Sequence, residues 1–279
     1  MPELPEIKAH AERLFADYGA CTLSGFKALS FTALKTFTPR PEVAIGEPLR
    51  AVATRGKYLV LQFESAAFVV HLMQGGRLVA EPKPTAKPRG GLARWSFHER
   101  PNLLLREAGS EHRAGVWVVS EVESADLFQS LGPDADELTQ PQLDSILAEA
   151  KGARVHGVLR DQRLIAGIGR RLANEICWTS CISPFAPCSK LDPRQRTSLL
   201  EAIHSTISDS LKDERSRDEM VSSKHRLSNV HHRSGQPCPR GDGDQIREIS
   251  YTTHTVNYCA TCQTKGKILA DNTTSKFLK

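Results

Sequence analysis

Three cysteines near the C-terminus offer the plainest chemistry in the chain. In CPRGDGDQIREISYTTHTVNYCATC, Cys238 stands alone while Cys259 and Cys262 form a C-x2-C pair. Two such knuckles facing one another hold a tetrahedral zinc ion. The first knuckle lacks its second thiolate, because Gly241 stands where it would fall. Asp242 follows, with sixteen residues between it and Cys259, and offers an oxygen ligand after a one-residue insertion. Two readings stand: one zinc ion held by Cys238, Asp242, Cys259 and Cys262, or an incomplete site with three free thiols in a packed hairpin. Replacing a thiolate by a carboxylate weakens zinc binding, since ligand type and number set the affinity. At the other end, PELPE follows the initiator methionine and packs Pro2, Glu3, Pro5 and Glu6 together. Proline at a first helical turn and carboxylates at the positive end of the helix dipole make this a helix start. Glu3 and Glu6, three apart, share one face.

These groups need elements to hold them. Residues 3–18 read as a helix with Ile7, Ala11, Leu14 and Phe15 as its apolar stripe. From about 21 to 120 the texture changes to short Val-, Leu- and Phe-rich runs, including 58–63, 67–72 and 115–119, separated by Gly, Pro and charges. That pattern predicts a mostly antiparallel sheet or sandwich. Residues 81–91 form a loop by their Pro and Gly content. After LGPDADEL the pattern turns helical, over 141–151, after the turn in LIAGIGRRLANEICW, and over 193–211. Residues 212–235 are polar and expected to be partly loose, and 246–251 with 254–258 read as a hairpin. The layout is a β domain, a helical domain and a small cysteine-bearing appendage too small for a core of its own, for which a metal is a natural staple.

The chain has 279 residues and a formal charge of +5, a mild excess that permits a polyanionic partner. No apolar run approaches the ~18 residues of a transmembrane helix. The start has no apolar secretory segment and the seven cysteines are odd in number, so a reduced, cytoplasmic setting is expected (nucleoid-associated if the source is bacterial), without a membrane partner. Cys177 and Cys181, one helical turn apart, and Cys188 are read as core fillers rather than a redox pair. Trp117 and Trp178 are read as core.

PELPE at the start, GKYLVLQF near position 57, IAGIGRRLANEI and the PC…YC-x2-CQ tail occur in order over nearly the whole chain. Together they resemble the formamidopyrimidine-DNA glycosylase and endonuclease VIII family of base-excision enzymes. The resemblance implies an α+β fold. Its parts would be an N-terminal catalytic β-sandwich with flanking helices over 1–131, a helix–two-turn–helix DNA-binding domain over 132–228 and a zinc-finger-like hairpin over 229–279. It implies a monomer acting on double-stranded DNA that contains damaged bases or abasic sites.

The resemblance also assigns roles. Removal of Met1 would leave Pro2 with a secondary amine, a nucleophile near neutral pH that can attack C1′ of a deoxyribose and form an iminium. The iminium allows β-elimination of the 3′ phosphate. Glu3 would protonate the opening sugar, and Glu6 would share a proton network with it, unless Glu6 is a simple first-turn carboxylate. Lys57 would contact phosphate and assist proton movement; alone it would read as a solvated strand-end lysine. His254 stands where the family usually carries an arginine that grips phosphate, so its contribution to binding and elimination should weaken above pH ~6.5. Arg170 replaces an asparagine after GIG and keeps a donor for phosphate, although it and Arg171 also suit a solvated face. The base-replacing wedge would use Gln74, where the family has Met, and Arg113, without a matching Phe. His71 is a DNA contact or a satisfied strand histidine. The function implied is a bifunctional glycosylase and AP lyase for oxidised bases, chiefly purines. The alternative is a non-catalytic damaged-DNA-binding protein on the same scaffold, and a zinc-finger regulator is disfavoured by the intact PELPE.

Overall fold

The first helix, α1 (Leu4–Tyr18), starts where the prolines and carboxylates place it, with Glu3 as N-cap in extended backbone. A computed structural model describes residues 1–98, 100–108, 112–122, 125–222, 225–251 and 254–269. The buried stripe of α1 is Leu4, Ile7, Ala11, Leu14 and Tyr18. Phe15, expected in that stripe, is 44% exposed: it lies one position off the face and its ring rests over Gly19.

Strands follow as β1 (Leu23–Ala28), β2 (Ala51–Arg55), β3 (Tyr58–Gln62), β4 (Ala67–His71), β5 (Gly76–Glu81), β6 (Gly91–Phe97), β7 (Arg100–Glu107) and β8 (Gly115–Val119). They form two four-stranded sheets ordered β1-β6-β7-β5 and β2-β3-β4-β8, with antiparallel pairing throughout. Phe68 of β4 meets Phe26 of β1 and Trp95 of β6 at ring distances of 5.2 and 5.8 Å, so the inner faces pack as a sandwich. β3 and β4 are nearly continuous apolar runs because both their faces are covered. α1 packs on β2 and β3.

The remaining helices are α2 (Asp126–Gln129), α3 (Gln140–Glu149), α4 (Val155–Arg160), α5 (Arg170–Thr179), α6 (Pro193–Arg215) and α7 (Ala260–Thr264); β9 (Ile246–Ser250) and β10 (Thr255–Cys259) make an antiparallel hairpin before α7. α6 is one turn longer than the sequence suggests, and it opens with a full cap: Pro193 in its first turn, and Asp192 accepting the Gln195 N–H at 2.9 Å. Two compact units divide the chain, Met1–Ser130 and Leu131–Lys279. In the second, α5 packs on α4, α6 and β10.

Residues 212–215 and 225–235 are more ordered than expected. The helix runs to Arg215, and Arg226, Val230 and His231 are buried. Their partner explains this. Glu175, 2% exposed on α5, accepts the backbone N–H groups of Asn229, Val230 and His231 at 2.7, 3.0 and 2.8 Å. A buried carboxylate is tolerable when such donors surround it.

Candidate active site and metal centre

At the start of α1 two buried carboxylates are locked together. The Glu3 backbone N–H donates to Glu6 Oε2 at 2.6 Å, and the Glu3 carboxylate accepts the Glu6 N–H in return. Glu3 is 4% exposed and Glu6 is fully buried, with Pro2 buried directly before them. Glu6 therefore holds the backbone of Glu3 in place. The link between them runs through the main chain.

Lys57 sits in the two-residue turn between β2 and β3. Gly56 takes φ +56 while Arg55 pairs with Tyr58, the geometry of a hairpin turn with glycine at its first central position. Lys57 is only 9% exposed, so it is not a solvated strand-end lysine. Tyr58 pairs across to His71, whose ring lies 4.6 Å from the tyrosine ring. Burial, and then the charge of Lys57, lower the pKa of His71 to about 4. The neutral ring accepts the Met73 N–H on Nδ1 at 3.1 Å, which puts its proton on Nε2.

Gln74 is exposed at the tip of the β4–β5 turn, and Arg113 is exposed before β8. The two loops adjoin: a side chain on Gly75 would meet the Ala108 carbonyl at 2.9 Å, and one on Gly76 the Ala114 methyl at 3.0 Å. Glu107 ties them by accepting the Ala114 N–H at 2.8 Å. Glu111, the first residue of EHRAGVW, lies outside the described residues.

In the second unit, Gly167 at φ +99 turns the chain into α5, whose N-cap Gly169 makes no side-chain cap. Arg170 is exposed there, whereas Arg171, expected on a solvated face, is buried against Ser210 Oγ at 3.2 Å and the Leu227 carbonyl at 2.9 Å. His254 stands at the start of β10, its ring parallel to that of Tyr251. Burial, then Arg160 and Arg170, lower its pKa. The pH window expected from a free histidine thus moves downward. Residues 252–253 lie outside the described residues.

Cys238, Asp242, Cys259 and Cys262 converge, their ligand atoms all within 4.8 Å of one another. The Cys238 and Cys262 sulfurs are 3.7 Å apart, the edge of a tetrahedron with metal–sulfur bonds of about 2.3 Å. Asp242 Oδ2 lies 3.1 Å from the Cys259 sulfur and 2.8 Å from that of Cys262. The inserted residue is absorbed by Gly241 at φ +67 and Gly243 at φ +79, conformations open to glycine. The Asp244 N–H donates to Asp242 Oδ1 at 3.0 Å, and Asp244 accepts the Thr261 N–H at 3.0 Å, joining the two knuckles. The donor set fits a metal ion. Without one, burial pushes the Cys262 thiol up to about 12, and bonds from Cys262 and from the Asp244 N–H hold Asp242 near 2.

Arg240, inside the first knuckle, lies over the Trp178 ring at 4.4 Å and donates to the Thr179 carbonyl at 2.9 Å and to the Cys181 sulfur. Cys177 and Cys188 are buried as core, Cys181 is exposed, and all seven cysteines are free. Asn174 Nδ2 reaches His231 Nδ1 at 2.9 Å and Asn257 Oδ1 at 3.3 Å. It seats β10 on α5, while Glu175 seats residues 229–231 there. Sequence reading passed over both residues; their signal was a polar pair inside the otherwise apolar LANEICW. Among the described residues no helix is long and apolar enough to cross a membrane.

A profile of the formamidopyrimidine-DNA glycosylase N-terminal domain matches residues 1–110. A formamidopyrimidine-DNA glycosylase of Chloroflexus aggregans is 30% identical over 275 residues, spanning 94% of this chain and 98% of the relative. An uncharacterized formamidopyrimidine-DNA glycosylase-like protein of Mycobacterium tuberculosis is 40% identical over 153 residues, 54% of this chain and 96% of that protein. Among solved structures, the MutM (Fpg) protein of Thermus thermophilus superposes with a TM-score of 0.80 at 23% identity, over 94% of this chain and 98% of that one. A Lactococcus lactis Fpg variant complexed with Fapy-dG containing DNA gives 0.81 at 18% identity, over 94% and 100%. At such identities these structures share the fold.

Proposed function

The chain belongs to the formamidopyrimidine-DNA glycosylase family, and we propose that it is a bifunctional DNA glycosylase and AP lyase that excises oxidised bases, chiefly purines, from double-stranded DNA. The observation that carries this reading is the buried Pro2–Glu3–Glu6 constellation at the head of α1. After removal of Met1 the Pro2 nitrogen attacks C1′ of the damaged nucleotide and the glycosidic bond breaks, releasing the base. The C1′–O4′ bond then opens, and Glu3 gives a proton to O4′. The resulting iminium acidifies the 2′ carbon; loss of that proton expels the 3′ phosphate, and hydrolysis frees the proline. Glu6 fixes the backbone that carries Glu3. Lys57 and the Nε2–H of neutral His71 suit phosphate oxygens, as do Arg170 and His254. Gln74 and Arg113 would fill the space left by the extruded base.

Cys238, Asp242, Cys259 and Cys262 would hold a zinc ion, which when bound supplies folding free energy to a hairpin with little core of its own. The polar Gln74 and the imidazole at His254 favour a second reading, a damaged-DNA-binding protein without catalysis. Borohydride reduction separates the two. Protein shown by intact mass to lack Met1 should form a covalent adduct with an abasic duplex. Failure of such protein to be trapped removes the enzymatic reading and leaves the binding one.

A further inference from the structure

Around His254 the second unit gathers aromatic rings and guanidinium groups. The His254 ring lies parallel to Tyr251, at 4.9 Å and 10°, and to His156, at 6.0 Å and 7°. His156 is 4% exposed; its backbone N–H donates to the Pro184 carbonyl at 3.1 Å, while its Nε2 is buried without a partner. One arginine is tied to this ring by helix geometry. Arg160 follows His156 by four residues on α4, so the two share a face. Arg170 is the first residue of α5 and, like Arg160, acts on His254. α4 and α5 pack together.

The fixed charges acting on these imidazoles are cations: Arg160 and Arg170 on His254, and Arg160 on His156. Cations concentrated in this way repel one another, and a polyanion relieves the repulsion.

We propose that Arg160 is a phosphate-binding residue of the DNA-contact face, acting beside Arg170 and His254. The inference rests on the DNA-glycosylase reading above. His254, with its lowered pKa, is mostly neutral at pH 7 and donates a hydrogen bond without a charge. The fixed guanidinium groups then carry the charge that displaces counterions, and Arg160 supplies a share that the hairpin's histidine does not.

The test is binding of an undamaged labelled duplex to the full chain, followed by anisotropy across a salt series for wild type, R160K and two neutral variants, R160Q and R160M. R160M keeps the aliphatic stem should R160Q fold poorly. The neutral variants should lower the slope of log K against log[salt] by about 0.9, and weaken binding roughly eightfold near 0.1 M salt, while R160K keeps the slope. A readout without DNA checks the placement: by NMR, His254 in R160Q should titrate at a higher pH than in wild type. Neutral variants that fold and keep the wild-type slope and affinity overturn this inference alone, as does an unmoved His254 titration. A wild-type protein that binds no duplex overturns it together with the DNA reading.

Discussion

Glu3 does two jobs that one substitution separates. Its carboxylate accepts the Glu6 N–H and so caps α1, and in the proposed reaction it delivers a proton to the sugar ring oxygen. Glutamine keeps an acceptor for the cap and has no acidic proton to give. Glu3→Gln should therefore cost less than about 1 kcal/mol of stability, in the range of a modified cap, and slow single-turnover cleavage of an abasic duplex by roughly 10²- to 10⁴-fold. Duplex affinity should stay near wild type. A variant cleaving at more than half the wild-type rate would take the acid role away from Glu3. His71 shows the same economy. Because it is buried beside Lys57 and accepts from the Met73 N–H, it stays a neutral Nε2–H donor at pH 7 and adds no competing charge to a site that already has a lysine.

At the scale of elements, local pattern and long-range partnership account for different parts of the fold. Alternation and turn residues marked the strands at 58–62, 67–71 and 115–119 and the β9–β10 hairpin, because a sheet with one or both faces covered writes its burial into neighbouring positions. The cysteine spacing marked the cluster of candidate metal ligands, and Asp242 joins it because two glycines take up the extra residue. Six-residue α4 was missed, being too short to show a helical period. The order in 225–235 was missed as well, since it depends on Glu175, more than fifty residues away, accepting three backbone N–H groups. The stack of His156 on His254 joins residues 98 positions apart and leaves no trace in local composition. The hairpin offers a prediction at this scale. A carboxylate is a weaker zinc ligand than a thiolate, so Asp242→Cys should bind zinc more tightly and slow its release to a chromogenic chelator by at least tenfold. Equal release rates would mean that Asp242 is not a ligand.

The whole molecule couples stability and binding to pH with opposite signs. His10, His71 and His156 stay neutral in the folded chain, with pKa values of about 4, 4 and 3 against 6.5 for a free imidazole. Burial is the leading cause in all three, followed by Arg13 for His10, Lys57 for His71 and Arg160 for His156. Below pH 6.5 the unfolded chain takes up three protons that these residues refuse in the folded chain, so stability falls as pH drops from 6.5 toward 4 and 3. Each residue withdraws roughly 3 to 5 kcal/mol across its window, a large share of the ~5–15 kcal/mol that holds a domain together. His254 also has a lowered pKa, but it is only partly buried at the hairpin and gains its charge on acidification where phosphate would benefit. Duplex affinity should therefore rise as pH falls below 6.5, while the melting temperature declines by several degrees per pH unit. His156→Phe, which keeps a ring against His254 and has nothing to protonate, should flatten the decline in melting temperature. If the melting temperature holds level from pH 7.5 to 4.5, or His156→Phe declines as steeply as wild type, the buried imidazoles are not what sets the acid limit.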